Sequence, residues 1–286
     1  MDADAYEAYI RRLVRWAEGR SDVLGVVALG STASTDHRPD RYSDHDVFVV
    51  TVDGAAQALR DDVSWLPDSH RIALCHRETK HGRGVVYDDG HLVEIAVFEP
   101  GELHVCRVNA YRVLHDTGDI APWIAALASA TTAAQAEADP DGTERFAAFV
   151  QQVIVGINRN ARGEHVAANA RLRGHAVELL TSLVRDLVPP APDAAVDNLD
   201  PHRRFELAHP VIGGRLVAAL DGPLDGVAGA LVALLEDHVV PYLSIDGSRA
   251  LGALHRVLAV RATPTENRWP EDPRDRVRPP RSTVAR

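Results

Sequence analysis

Two aspartates separated by a single residue are the feature of this sequence that most clearly suggests chemistry. Asp44 and Asp46 stand at the start of an apolar, β-branched run, residues 46–52, which predicts a β-strand. Because successive side chains of a strand point to opposite faces, the two carboxylates should lie on the same side. Adjacent carboxylates repel each other unless a cation lies between them, and oxygen ligands of this kind suit Mg²⁺. The pair therefore predicts a divalent-cation site.

A third acid, Glu94, interrupts an otherwise apolar strand pattern at residues 92–98. A carboxylate in such a strand is costly to bury without a partner. If this strand lies beside the strand that contains Asp46, three carboxylates converge, and three can hold two Mg²⁺ ions. Such a centre suits in-line nucleotidyl transfer, with one ion on a triphosphate and the other on the attacking hydroxyl. The alternative is a salt bridge of Glu94 on a partly exposed strand.

A turn of small residues comes before the aspartates. Gly30 and Ser31 follow a buried strand pattern at residues 23–29. Glycine lacks Cβ, so the backbone can turn tightly there and approach a ligand. Backbone N–H groups and hydroxyls at the start of a helix can hold a phosphate chain. We expect these two residues to bind phosphates, and an ordinary strand-to-helix turn is the alternative.

The combination resembles a known signature. Gly30-Ser31, a spacer, and residues 43–46 (Ser-Asp-His-Asp) followed by an apolar strand are similar to the signature of the nucleotidyltransferase superfamily related to DNA polymerase β. The layout is similar to that of bacterial aminoglycoside and lincosamide nucleotidyltransferases, in which a small catalytic domain precedes a helical domain. The resemblance implies an enzyme that uses Mg²⁺ and ATP, or another NTP, as co-substrate. It would transfer AMP onto a hydroxyl of a small molecule such as an aminoglycoside.

The resemblance also implies roles for individual residues. The metal ligands and catalytic acids would be Asp44, Asp46 and Glu94, and the nucleotide-binding residues would be Gly30, Ser31 and Ser43. Two other functions stay open on the same scaffold. One is a nucleotidyltransferase of a toxin–antitoxin system that modifies protein or tRNA, and the other is a non-catalytic nucleotide-binding protein.

A fourth acid, Glu164, falls within a long proline-free helical pattern, residues 146–188, on its apolar stripe. On an inward face it would reach the cleft between domains and take a proton from a substrate hydroxyl as general base. Residues 162–165 (Arg-Gly-Glu-His) also resemble a stretch of kanamycin nucleotidyltransferase in which the corresponding glutamate is the proposed base. The alternative is a structural ion pair of Glu164 with Arg159 or Arg162.

The pattern around these residues predicts an α+β fold, a small mixed-sheet nucleotidyltransferase domain followed by an α-helical bundle domain. The catalytic domain would comprise residues 1–120 and the helical, acceptor-binding domain residues 121–262. Residues 263–286 combine several prolines with many arginines and few apolar residues, so we expect a disordered tail. The expected strands are residues 23–29, 46–52, 71–75, 85–87, 91–98 and 111–115.

The net charge and the lengths of the apolar runs indicate which partners and which compartment to expect. The 286 residues carry a net charge of -10, which disfavours a nucleic-acid partner and would attract a cationic acceptor. No apolar run approaches the ~18–20 residues that span a bilayer, and the acidic N-terminus does not resemble a signal peptide. We therefore expect a cytoplasmic protein without membrane contact. Its oligomeric state, monomer or homodimer, stays open.

Overall fold

The structure is a computed structural model that describes residues 3–33, 39–40, 42–192, 194, 197 and 199–261. The chain forms two compact units, Met1–Ala138 and Asp139–Arg286. Among the described residues, no helix is long and apolar enough to cross a membrane. The tail expected at residues 263–286 lies outside the described residues.

The first unit is built on a six-stranded mixed sheet. Its strands are β1 (Val23–Leu29), β2 (His45–Thr51), β3 (Ile72–Arg77), β4 (Gly82–Tyr87), β5 (Leu92–Phe98) and β6 (Tyr111–Asp116). They are arranged in the order β3-β4-β5-β2-β1-β6. β2 and β5 run parallel, and the other neighbours pair antiparallel. All six strands coincide with expected strands to within a few residues.

The first helix, α1 (Ala3–Glu18), covers one face of this sheet. Its apolar residues recur at helical spacing, so that Tyr9, Leu13 and Ala17 form a buried stripe. This stripe packs against the inward side chains of β1, β2 and β5. A short helix, α2 (Ala56–Asp61), adds Leu59 to the same core.

The opposite face of the sheet is covered by α3 (Ala121–Ala138). Ile120 and Ile124 are fully buried there, in one cluster with Val27 and Phe98. A Cβ on Gly25 would lie 2.1 Å from Ile120 Cδ1, which shows how closely this segment approaches β1. The first unit therefore extends to Ala138, whereas the sequence placed the boundary at residue 120. The Ala-rich composition of α3 is typical of a helix in a helical bundle. Its residues Ile124, Leu127 and Ala128 nevertheless pack against the sheet.

The second unit is helical. Its helices are α4 (Thr143–Ala161), α5 (His165–Asn169), a π-helical turn (Ala170–Ala176), α6 (Val177–Leu187), α7 (Phe205–Ala208), α8 (Pro210–Leu220), α9 (Leu224–His238) and α10 (Ser248–Arg261). Phe149, Leu180 and Leu231 are among its fully buried core residues. The α+β class, with a mixed-sheet unit before a helical unit, is confirmed.

The long helix expected across residues 146–188 is interrupted after α4. Gly163 has φ 78°, and its N–H and that of Glu164 bond back to Asn160 O and Arg159 O. This pattern is a glycine-based helix stop. Glu164 then has non-helical φ and ψ of -81° and 57° and precedes α5. The placement of Glu164 on a continuous apolar stripe was therefore wrong, because the stripe was followed through the glycine that ends the helix.

Candidate active site

The parallel pairing of β2 and β5 brings the acids of the sequence motif together. Asp46 lies directly opposite Glu94 in the register of the two strands. Asp44 precedes β2 by one residue and, two positions from Asp46, shares its side of the chain. Each of the three residues offers a carboxylate oxygen within 4.8 Å of the other two. The expected convergence of the three acids is confirmed as geometry, and their role as ligands stays a prediction.

The electrostatics of the cluster favour a cation. Burial raises the pKa of Glu94, and the carboxylates of Glu78 and Asp44 raise it further, while His76 opposes them. Like charges held this close disfavour ionisation, and a divalent ion between them would reverse that effect. The donor set consists of three carboxylates, which are the hard oxygen ligands that Mg²⁺ prefers. The residues therefore fit the metal that the motif implies.

The small-residue turn lies beside the acids, because Leu29 at the end of β1 pairs with Asp46. Gly30 has φ 50°, a left-handed conformation that favours glycine, and it opens a 3₁₀ turn, Gly30–Ala33. Ser31 is buried in that turn, and its hydroxyl makes no hydrogen bond of ordinary geometry among the described residues, although it interacts with the Tyr6 hydroxyl. Buried polar atoms are normally satisfied, so we expect this hydroxyl to contact a ligand oxygen.

Ser43 lies in a separate turn that leads into Asp44. Its hydroxyl accepts a hydrogen bond from Asp40 N at 3.0 Å, and its own N–H donates to Asp40 O at 3.1 Å. Residues 34–38 and 41 of the connecting segment lie outside the described residues. The structure thus gives Ser43 a local turn function, and nucleotide binding by Ser43 stays a prediction.

Sequence reasoning missed a set of buried hydroxyl groups behind the acids. Tyr6 of α1 donates a hydrogen bond to Asp44 O at 2.7 Å. Thr32, in the 3₁₀ turn, accepts one from Asp46 N at 2.9 Å. The sequence signal for Tyr6 is its place at the start of a helical pattern of apolar residues at residues 6–19.

The histidine between the two aspartates is a core residue. His45 is fully buried, and its ring stacks between those of Tyr6 and Tyr9, with centroid distances of 3.7 and 4.6 Å. Burial lowers the pKa of His45 to about 3, and the adjacent His91 adds to this effect, so the ring is neutral. His45 therefore supports the strand that carries the acids instead of facing a ligand.

A cavity of about 340 Å³ opens beside the acid cluster within the first unit. Asp46 and Glu94 form part of its wall, together with Glu78. Most of the remaining wall is apolar and includes Phe48 and Phe98. A largely apolar cavity with a few polar groups at one end is the usual form of a small-molecule site.

Glu164 lies in the second unit and forms a salt bridge with Arg159. Its side chain is 38% exposed. The ion pair that was the alternative interpretation of this residue is thus present. The role of general base stays a prediction.

Comparison with known proteins assigns no family. The sequence matches no family model and no curated protein. Among solved structures, the chain is similar to an aminoglycoside 6-adenyltransferase from Bacillus subtilis, with 9% sequence identity and a TM-score of 0.36. The similarity covers 88% of this chain and 97% of that one. A likeness at this level carries no functional argument, so function must be argued from the site.

Proposed function

We propose that this protein is a Mg²⁺-dependent nucleotidyltransferase that transfers AMP from ATP, or another nucleoside monophosphate, onto a hydroxyl of a small molecule. The observation that carries the proposal is the meeting of three carboxylates, from Asp44, Asp46 and Glu94, within 4.8 Å of one another. The phosphate-binding turn expected from the sequence lies directly beside them.

In this mechanism the three carboxylates hold the metal. An ion held by these carboxylates would supply charge neutralisation at the transferring phosphoryl group and would lower the pKa of the attacking hydroxyl. The turn that begins at Gly30 would bind the leaving phosphates through the Ser31 hydroxyl and through backbone N–H groups after Gly30, whose own N–H donates to Ala110 O. Positioning and charge neutralisation carry most of phosphoryl-transfer catalysis, and these are what the turn and the carboxylates would supply.

Two further assignments complete the proposal. Ser43 contributes to nucleotide binding from the turn before Asp44, and Glu164 accepts the proton of the acceptor hydroxyl as general base. In the free protein, the Glu164 carboxylate is held by its salt bridge with Arg159.

The acceptor that we propose is a cationic small molecule of the aminoglycoside type. The net charge of -10 attracts cations at long range. Glu78 adds a third carboxylate to the cavity wall that Asp46 and Glu94 help to form, and it would face an amino group of such an acceptor. The same charge disfavours tRNA as the acceptor.

The test is transfer of label from each α-³²P-labelled NTP, with Mg²⁺, to a panel of aminoglycosides and other small alcohols. Asp46→Asn should abolish both label transfer and pyrophosphate release. Asp53→Asn, at an exposed turn just after β2, removes the same charge outside the cluster and should retain both activities. Equal turnover in the two variants would contradict the proposal. Label on co-purified protein or tRNA would support nucleotidyl transfer but would contradict a small-molecule acceptor.

A further inference from the structure

We propose that Tyr6 of α1 is a positioning residue that fixes the backbone beneath the metal-binding carboxylates, acting through the hydroxyl of Thr32. This inference rests on the proposed function and adds two residues to it that do not touch substrate or metal. It assigns to the first helix a part in metal binding in addition to its packing against the sheet.

The hydroxyls form one continuous chain of hydrogen bonds. Asp46 N–H donates to Thr32 Oγ1 at 2.9 Å, and Thr32 Oγ1 lies 2.7 Å from the Tyr6 hydroxyl. Tyr6 donates to Asp44 O at 2.7 Å. Thr32 Oγ1 also lies 3.4 Å from Asp44 O. Because the contact of Tyr6 with Asp44 O is the shorter one, we assign the Tyr6 proton to Asp44 O and the Thr32 proton to the Tyr6 hydroxyl. Chains of this kind strengthen each bond that they contain.

The backbone that these hydrogen bonds hold lies at the N-terminal end of β2, where β5 still pairs with it on one side. On the other side of β2, the ladder with β1 ends at the pair Leu29–Asp46. After Leu29 the polypeptide leaves the sheet and enters the 3₁₀ turn. Asp44 lies before β2 and outside the ladder. The hydroxyls of Tyr6 and Thr32 therefore bond at the end of the ladder, where both carboxylates emerge.

Tyr6 itself is rigidly held. Its side chain is 1% exposed, and its ring stacks on His45 at 3.7 Å with an interplanar angle of 16°. His45 Nε2–H donates to Tyr6 O at 3.2 Å, while His45 Nδ1 lies 2.7 Å from His91 Nε2. The tautomers that satisfy this network make His91 the donor to His45. The position of the Tyr6 hydroxyl is thus fixed by the stacking of the ring on His45 and by the hydrogen bond from His45 to the Tyr6 carbonyl.

In many metal sites, groups that do not touch the ion form hydrogen bonds to its ligands and so orient them, and their removal commonly weakens metal binding 10–100-fold. Here the hydroxyls of Tyr6 and Thr32 bond instead to the backbone of the residues that carry the carboxylates. Thr32 also belongs to the turn that we expect to bind phosphates. The same hydroxyl chain therefore fixes the phosphate turn and the metal carboxylates relative to each other.

The experiment compares Tyr6→Phe with Tyr9→Phe. Tyr9 lies on the same helix, is equally buried, and bonds through its hydroxyl to the Tyr87 hydroxyl at 3.1 Å, away from the acids. Both variants keep the ring and lose one hydroxyl. Mn²⁺ binding, measured by electron paramagnetic resonance without nucleotide, should weaken about tenfold in Tyr6→Phe and stay unchanged in Tyr9→Phe.

A second pair of variants tests the hydrogen-bonded hydroxyls without changing the Tyr6 ring that stacks on His45. Thr32→Val, which removes the hydroxyl at nearly constant shape, should weaken Mn²⁺ binding like Tyr6→Phe, and Thr32→Ser should restore it. This pair decides the matter if Tyr6→Phe does not fold. Wild-type Mn²⁺ affinity in Tyr6→Phe and Thr32→Val, or equal weakening in Tyr9→Phe, overturns the positioning role. If the wild-type protein binds no Mn²⁺, the proposed function itself fails, which is a distinct result.

Discussion

Replacing Glu94 by glutamine should stabilise the metal-free protein and remove its response to divalent ions. Burial raises the pKa of Glu94, and Glu78 and Asp44 raise it further. An acid whose pKa is raised in the folded state binds its proton more readily there than in the unfolded chain. Its ionised form therefore destabilises the fold, and the penalty is fully present above the raised pKa.

The magnitude follows from the separation of the charges. Two unit charges 4.8 Å apart, the upper limit within the cluster, repel each other by about 1 kcal/mol in a water-like dielectric and by about 3.5 kcal/mol at an effective dielectric of about 20. The cluster is partly exposed, so we use the lower figure. Glu94 has two such neighbours, Asp44 and Asp46, which gives about 2 kcal/mol in total. That corresponds to an increase in Tm of about 4–8 °C.

Thermal unfolding followed by circular dichroism measures this effect. At about pH 8 without divalent ions, Glu94→Gln should melt above the wild-type protein. The difference should vanish below about pH 4, where the carboxyl is protonated in both states. Mg²⁺ should raise the Tm of the wild-type protein only. Glu18→Gln, at an exposed site on α1, controls for net charge. A metal-free Glu94→Gln protein that melts at or below the wild type would refute the reasoning.

Three further predictions follow from particular contacts. In Gly25→Ala, the new Cβ would lie 2.1 Å from Ile120 Cδ1, so thermal unfolding should show a loss of about 1–3 kcal/mol that Ile120→Ala, added to it, partly restores. No recovery in the double variant would contradict the packing of α3 on the sheet. Burial acts to raise the pKa of Glu102, but hydrogen bonds, first from buried Arg60, outweigh it and hold the pKa at about 2. Glu102→Gln should therefore lose about 1–2 kcal/mol at neutral pH, since solvent screens part of the interaction, and the deficit should shrink as pH falls below about 4 toward 2. A deficit that does not change with pH in denaturant titrations would count against this ion pair. Glu164→Gln should lower the rate of label transfer while nucleotide binding and stability, the latter within about 0.5 kcal/mol, stay unchanged. Wild-type transfer rates would leave Glu164 with only its structural role.

The strands of the sheet could be predicted because each is a short apolar or β-branched run bounded by glycine or acidic turns. The boundary between the two units could not be predicted from the sequence. The apolar residues of α3, such as Ile124, look the same in sequence whether they pack on a sheet or on another helix. The break at Gly163 could have been found, since a glycine near the end of a helical pattern is a common stop signal.

The acid cluster was predictable for a specific reason. Asp44, Asp46 and Glu94 are polar residues in or beside apolar strands, so the sequence itself marks them as exceptions. That the two strands are neighbours was only a condition of the sequence argument, and both their pairing and the register of Asp46 against Glu94 came from the structure. The support from Tyr6 and Thr32 was not predictable, because a tyrosine on an amphipathic helix and a threonine in a turn are ordinary at those positions. Their function depends on contacts between residues distant in sequence.

Diffraction from crystals grown with Mn²⁺ and a non-hydrolysable ATP analogue would locate the metal and the nucleotide in one experiment. We expect anomalous density for Mn²⁺ bound by carboxylate oxygens of Asp44, Asp46 and Glu94. The triphosphate should contact both the metal and the turn that contains Ser31. An occupied nucleotide site elsewhere on the chain, with no Mn²⁺ at the three carboxylates, would contradict the proposed function.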